Sequence, residues 1–268
     1  MKTINLDLKL SIITVNKNNY DGLINTLNSL KDNVNSDSYQ HIIVDGNSND
    51  LLESFDTLKK KYSFDFISEN DSGIYNAMNK GIGLASFKRL LFLNSGDSII
   101  NDINFDKFIS LNLDYDLVYS NLLKVNREGL VTESNFPNIL SLDYMICFGL
   151  PHQATIIKKS LFEKISFYDE KYKIISDWVF FMEALFFNKA TYIHIDLSVV
   201  NFDISGISNQ NIFVKTIIVE QLDYINKRFP EKVSLYKSKS PYVKKYFRSM
   251  PRWKRLILRF LFIKFNLI

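Results

Sequence analysis

The residues most able to do chemistry are carboxylates placed where apolar runs stop. Leu90-Leu91-Phe92-Leu93 is followed by Asn94-Ser95-Gly96-Asp97, His41-Ile42-Ile43-Val44 by Asp45-Gly46, and Phe64-Asp65-Phe66-Ile67-Ser68 by Glu69-Asn70-Asp71. Such runs read as buried strands, and acids at the carboxyl ends of parallel strands converge on one rim of an open sheet. Ionised carboxylates crowded on that rim repel one another unless a cation or hydrogen-bond donors stand between them. A nucleoside diphosphate with a divalent cation supplies both, because Mg2+ takes one or two carboxylates and completes its shell with phosphate oxygens and water. Asp97 suits the cation. Asp45 suits a hydrogen bond to a base or ribose, with Gly46 allowing close approach. A plain turn and helix cap explains Asp45-Gly46-Asn47-Ser48 equally well.

Other candidates carry two readings each. Asp71 or Ser72 can cap the helix that begins at Ile74, which leaves Glu69 unexplained. Gly81 and Gly83, just after Asn79, weaken that helix and point to close packing, a nearby ligand or a frayed end. His152 follows a proline in a loop and is either structural or part of the site. Asp177 opens a helix, where it is favoured by the dipole or presented as a general base.

The elements that must position these groups alternate. Strands are expected at Lys9 to Val15, Gln40 to Val44, Phe64 to Ser68 and Arg89 to Leu93. Helices are expected at Tyr20 to Leu30, Asn49 to Lys61 and Ile74 to Ala85. This alternation predicts right-handed crossovers and a mainly parallel sheet. Beyond Asp97 come a short strand at Asp116 to Ser120 and a hairpin of Leu122 to Val125 with Leu130 to Thr132. Helices follow at Lys158 to Ile165, Trp178 to Phe187 and Ile212 to Arg228, with strands at Tyr192 to Ile195 and Val199 to Phe202. No internal repeat or low-complexity linker interrupts the chain.

With 268 residues, 46% hydrophobic and 23% charged, the chain is long enough and apolar enough for a full α/β core. The net charge of +4 gathers near the C-terminus instead of over one face, so nucleic acid is not an expected partner. The single cysteine, Cys147, rules out an intrachain disulfide framework and fits a reducing cytosol. The first ten residues lack the apolar core of a secretory signal, and no apolar run reaches the roughly 20 residues that span a bilayer.

Five segments in order resemble family-2 glycosyltransferases of the GT-A fold, over about Leu8 to Ser208. They are Leu10-Ser11-Ile12-Ile13-Thr14-Val15-Asn16, Ile43-Val44-Asp45-Gly46-Asn47-Ser48-Asn49-Asp50, Ser68 to Ile82, Phe92-Leu93-Asn94-Ser95-Gly96-Asp97, and Pro151-His152-Gln153-Ala154-Thr155. The subgroup it most resembles builds bacterial O-antigen or capsule repeat units. The resemblance implies a Rossmann-like nucleotide-binding domain over residues 1–210 and a helical extension over 211–268. It implies an inverting, metal-dependent transfer of a hexose or N-acetylhexosamine from a nucleotide sugar, by preference a UDP sugar, to an undecaprenyl-diphosphate-linked saccharide. It places Thr14, Val15, Asn16, Asp45, Asp71, Asn79, Ser95 and Gly96 around the nucleotide. Asp97 is assigned to Mn2+ or Mg2+ and Asp177 to the catalytic base, with His152, Trp178 and Tyr75 near donor or acceptor. Two departures stand out. The usual paired acids are reduced to Asp97 alone, which predicts a weakly held metal, and Phe87-Lys88 stand where the family often has a glycine.

The tail adds a second signal. Lys244, Arg248, Arg252, Arg255 and Arg259 recur at helical spacing, with Trp253, Leu256, Ile257, Phe260, Leu261 and Ile263 over much of the remaining surface and Pro251 as a break or start. This pattern is expected either to pack on the catalytic domain or to lie on the anionic inner face of the cytoplasmic membrane, where each basic residue contributes about 1 kcal/mol. A cytoplasmic, peripherally membrane-bound protein follows from the second reading, and a homo-oligomer is compatible with either. The rival functions are a nucleotidyltransferase and a non-catalytic sugar-nucleotide-binding module. A Rossmann dehydrogenase is disfavoured, because Asn16-Lys17-Asn18-Asn19 replaces its glycine-rich turn.

Overall fold

The computed structural model describes residues 9–51, 55–101, 103–110, 114–126, 128–204 and 211–249. Its first half alternates strand and helix as expected. Strands β1 (Leu10–Asn16), β2 (Tyr39–Asp45), β3 (Asp65–Ser68) and β4 (Arg89–Phe92) are separated by α1 (Tyr20–Asn33), α2 (Phe55–Lys61) and α3 (Ile74–Leu84). They lie side by side as β3-β2-β1-β4, all parallel, with Asn16 level with Asp45 and Asp45 level with Ser68. Being covered on both faces, β1, β2 and β4 read as unbroken apolar runs instead of alternating ones. The 49–61 helix is a short 3-10 turn at Asn49–Leu51 followed by α2. Gly81 settles the question of close packing: a Cβ there would stand 2.4 Å from Ile13, so the glycine lets α3 lie against β1.

The second half departs more from expectation. After β5 (Ser98–Ile99) and α4 (Phe105–Ser110), β6 (Leu117–Val125) is one nine-residue strand that joins two expected pieces and turns into β7 (Val131–Ser134). Next come α5 (Leu142–Cys147), a 3-10 turn at His152–Ala154, β8 (Thr155–Lys158), α6 (Lys159–Lys164), α7 (Ser176–Met182) with a π turn to Phe187, and β9 (Tyr192–Asp203). β9 likewise joins two expected strands, and bulges near Ser120 to Leu122 adjust its register with β6. β8 pairs antiparallel with β4 and β6, and β5 pairs antiparallel with β9. The full order is β3-β2-β1-β4-β8-β6-β9-β5, so a mixed half is welded to the parallel one.

Helices α8 (Val214–Arg228), α9 (Val233–Lys239) and α10 (Pro241–Ser249) follow. Ile217, Tyr224, Ile225, Phe229, Tyr236 and Val243 are buried in the same apolar cluster as Phe92, Tyr119, Trp178 and Phe181. The described part of the extension is therefore packed on the sheet domain. Arg252, Arg255, Arg259 and the apolar residues of the predicted tail stripe lie outside the described residues, while Lys244 and Arg248 are exposed on α10. Among the described residues no helix is long and apolar enough to cross a membrane.

Candidate active site

The carboxyl ends of the parallel strands form a continuous rim. Backbone bonds carry the register past the strands: Gly46 N–H to Asn16 O at 2.9 Å, Glu69 N–H to Asp45 O at 3.0 Å, and Ser95 N–H to Val15 O at 3.2 Å. Because β8 runs against β4, its leading turn, His152–Ala154, arrives at this same rim. Because β9 runs against β5, its last residue, Asp203, arrives beside Gly96 and Asp97.

At the β1–β2 end, Asp45 is buried and accepts from Asn16 Nδ2, Ser48 N–H, Ser48 Oγ and Ser68 Oγ, all within 2.8 Å. Burial pushes its carboxyl up, but the bonds from Ser48, Ser68 and Asn16 outweigh this and hold it below the usual range. Four donors meet its oxygens, so Asp45 orders the rim from within. The residue that faces outward here is Asp71. Its Oδ1 accepts from Gly73 N–H at 3.0 Å, and its Oδ2 stands 2.4 Å from where a Gly46 Cβ would be. Asp71 and Lys17 thus close over Gly46, which has no room for a side chain.

At the β4 end, Asp97 is 2% exposed and accepts from the Asn94 and Asp203 amides at 3.1 and 3.0 Å. Burial pushes its carboxyl up to about 7, and the nearby Asp203 carboxylate adds to the rise against the pull of the two amides and His152. Gly96, at φ +108°, has the Asp203 carboxylate against its α-carbon, where a Cβ would meet Oδ2 at 2.8 Å. The pair Asp97 and Asp203 replaces the lone acid expected from sequence. Ser95 Oγ is buried with no hydrogen-bond partner, as are Asn94 Oδ1, Asn16 Oδ1 and Ser176 Oγ along the same rim. Unsatisfied buried polar atoms are uncommon, and those along the rim can meet a polar ligand, while others, such as Ser240 Oγ, lie elsewhere.

Between these ends lies a hydrogen-bonded chain. Asn94 Nδ2 donates to His152 Nε2 at 3.2 Å, and His152 Nδ1–H donates to Asp177 Oδ2 at 2.7 Å. The Tyr75 hydroxyl is 2.7 Å from both Asp177 Oδ1 and the Ile174 carbonyl. Burial pushes Asp177 up, but bonds from His152 and Tyr75 and the turn amide of Trp178 overcome it and hold the carboxyl below its ordinary value. Asp177 keeps 17% of its side-chain surface open, so it is ionised, fixed and reachable.

The structure gathers Asn16, Asp45, Asp71, Ser95, Gly96, Asp97, His152, Asp177 and Tyr75 on or directly under the rim, and leaves other expected residues off it. Thr14 is fully buried and its hydroxyl meets His41 at 2.9 Å. Val15 packs on the core. Asn79 binds the Tyr168 backbone from both sides, donating to its oxygen at 2.9 Å and accepting from its N–H at 3.0 Å, and so fastens that loop. Trp178 is 6% exposed, donates to Met145 O and lies against Gly149. Asp203 is the residue missed from sequence. The signal was present, since Val199-Val200-Asn201-Phe202-Asp203 is another apolar run that stops at an acid.

Asp97 and His41 make opposite demands on pH. With its folded value near 7, Asp97 holds a proton that the unfolded chain has released above about pH 4, so stability falls as pH rises through that window. Burial lowers His41 to about 3, so stability falls as pH drops below about 6.5. The wild-type profile blends the two, and the difference between Asp97→Asn and wild type isolates the first. In chelator-treated protein, denaturant unfolding is expected to show the variant gaining relative stability from pH 4 to 7, with a ceiling of about 4 kcal/mol. A pH-independent difference would mean that Asp97 titrates as an ordinary acid.

Comparison with known proteins gives the family and the fold. The Glycosyl transferase family 2 profile matches residues 11–176, more than half of the chain. An uncharacterised glycosyltransferase of Mycobacterium tuberculosis (strain CDC 1551 / Oshkosh) is 29% identical over 191 residues, 65% of this chain and 68% of that one. A PGL/p-HBAD biosynthesis glycosyltransferase of Mycobacterium bovis (strain BCG / Pasteur 1173P2) is 30% identical over 148 residues, 53% of this chain and 55% of that one. The fold matches S. aureus TarS, with a TM-score of 0.62 at 17% identity over 92% of this chain and 44% of that one. It also matches TarS 1-349 solved with UDP-GlcNAc, with a TM-score of 0.63 at 18% identity over 90% and 73%. The chain thus spans less than half of full TarS and about half of the PGL/p-HBAD enzyme. It has the GT-A-like α/β fold, it is a transferase, and it belongs to glycosyl transferase family 2.

Proposed function

We propose that the protein is an inverting, metal-dependent glycosyltransferase that moves a hexose or N-acetylhexosamine from a UDP sugar to a saccharide on a lipid diphosphate, in O-antigen or capsule repeat-unit assembly. The carrying observation is Asp177, held ionised by His152 and Tyr75 on the rim that also bears Asp97 and Asp203. A solved structural neighbour that binds UDP-GlcNAc supports the choice of donor.

In this reading the acceptor hydroxyl attacks the anomeric carbon from the face opposite the departing diphosphate. Asp177 takes its proton as the new bond forms, and the transition state is oxocarbenium-like. His152 keeps the carboxylate turned toward the acceptor, and its Nε2 is tied through Asn94 to the loop that bears Asp97. The residues present fit a divalent cation, Mn2+ or Mg2+. Asp97 and Asp203 supply two hard carboxylates, and Ser95 Oγ is a buried atom lacking a partner. Among the described residues no three His, Cys, Asp or Glu side chains converge on one point, so donor phosphates complete such a site. When bound, the cation neutralises charge on the leaving diphosphate.

A panel of nucleotide sugars with a synthetic lipid-diphosphate-sugar acceptor, the product linkage read by NMR, tests the assignment. Asp177→Asn is expected to lose at least ~10²-fold in kcat while UDP affinity by calorimetry stays unchanged. Near-full turnover would remove Asp177 from the mechanism. Asp97→Ala is expected to abolish stimulation by Mn2+ or Mg2+, and Asp203→Ala to raise the cation concentration needed for half-maximal rate. A rate indifferent to chelator and to both substitutions would overturn the metal assignment.

Membrane attachment belongs to the same reading, through the exposed Lys244 and Arg248 and the basic tail beyond them. Cutting after Pro230 would strip Tyr236 and Val243 from the core, and a lost aromatic alone costs about 3–5 kcal/mol of a total near 5–15. Removal of residues 250–268 is the cleaner test. It is expected to leave folding intact and weaken binding to vesicles rich in anionic lipid, and undiminished binding would assign attachment elsewhere.

A further inference from the structure

Glu170 is exposed, yet its carboxylate is the meeting point of three side chains from the α3 region. Ser72 Oγ donates to it at 3.0 Å, Asn76 Nδ2 lies 3.1 and 3.2 Å from its two oxygens, and Asn79 Nδ2 lies 3.2 Å from Oε1. Asn76 and Asn79, three apart, share one face of α3, and Ser72 lies just ahead of the helix, which starts at Ile74 after the Gly73 cap. The donors outweigh the slight burial and hold the carboxyl below its usual range. By contrast, the neighbouring Asp169–Lys171 pair is an ordinary exposed contact.

The bonds about Glu170 belong to a longer seam. Asn79 grips the Tyr168 backbone through both its groups, and the Tyr75 hydroxyl reaches Ile174 O and Asp177 Oδ1. The segment from Tyr168 to Asp177 is thus fastened along α3 at both ends and at Glu170. Ser72, which binds Glu170, directly follows Asp71, which faces Gly46 on the nucleotide side. We propose that Glu170 is a positioning residue for glycosyl transfer: it clips the segment bearing Asp177 to the start of α3, so that the same short stretch borders the donor nucleotide and holds the base in register. The assignment rests on Asp177 being the base. A base displaced by about 1 Å loses on the order of 10²-fold in rate, and one loosened clip among several costs less.

The test uses the full chain, with the sugar nucleotide and acceptor from the panel that wild type turns over fastest, and UDP as the binding probe. Glu170→Ala is expected to lower kcat about 10-fold, leave UDP affinity and donor KM within about 2-fold, and leave the thermal midpoint essentially unchanged. Glu170→Gln, which keeps an acceptor oxygen for Asn76 and Asn79, is expected to recover part of the rate. Hydrogen exchange, which needs no substrate, is expected to quicken at amides 168–177 in Glu170→Ala and not in the strands. Wild-type kcat in Glu170→Ala overturns the clip, and Asp177→Asn in the same assay separates the two claims. If Asp177→Asn is inactive the base stands without it, and if it is fully active the base itself is wrong. Equal losses of kcat, UDP affinity and thermal midpoint would make Glu170 a structural residue and also overturn the proposal.

Discussion

A carboxylate can sit among aromatic rings in its charged form only if donors reach it, and Asp177 depends on that condition. Tyr75 and Tyr168 pack 5.4 Å apart in the core beneath it, and burial of this kind favours the neutral acid. Two hydrogen bonds of 2.7 Å, from His152 and Tyr75, reverse the preference. Leaving such a group unsatisfied costs about 1–3 kcal/mol or more, so the elements that deliver the donors are constrained as firmly as the acid. β8 must run antiparallel to β4 so that its leading turn puts His152 on the rim. α3 must lie close on β1, which Gly81 permits, so that Tyr75 reaches Asp177. The antiparallel half of the sheet thus has a chemical reason as well as a topological one.

The low proton affinity that results also bears on mechanism. A general base works best with a pKa near the working pH, and Asp177 lies below its ordinary value. In the proposed mechanism it draws a proton from the hydroxyl as that oxygen loses electron density to the anomeric carbon, so proton transfer accompanies bond formation instead of preceding it. That order suits a dissociative, oxocarbenium-like transition state, in which a weak nucleophile suffices. Asp97 stands at the opposite extreme, pushed up to about 7 by burial and the neighbouring Asp203. Two acids about one cleft with opposed proton affinities suit different partners, one a proton and the other a cation.

The parallel half was legible because β1, β2 and β4 are buried on both faces and its longer helices are amphipathic, so period and length suffice. β8 was not, since Thr155–Lys158 is four residues long and runs straight into a helix. β6 and β9 were each read as two strands, because bulges interrupt their alternation without ending their pairing. The strand-end rule led to Asp97, Asp71 and Asp45, which the structure places on one rim, and the same rule applies to Asp203. Residue type located Asp45, but only the placement of Ser48, Ser68 and Asn16 showed the bonds that hold it. The bonds of Asn79 were not legible for a similar reason: its partner, Tyr168, is far off in sequence, and no local spacing announces it.

Family motifs mark positions near a ligand, and a residue at such a position can touch the ligand, hold something else still, or do both. Asp45, Asn79, Tyr75 and Trp178 each hold backbone or a residue on another element. Ser95 Oγ is buried with no partner, and Asn94 links Asp177 through His152 to the loop that bears Asp97. A sugar donor needs few contacts if those few are rigid, since an effective molarity gained by fixed geometry exceeds what additional loose contacts supply. The dense internal bonding along α3 and β8 therefore holds the rim's oxygens in fixed positions, which is what the proposed transfer requires.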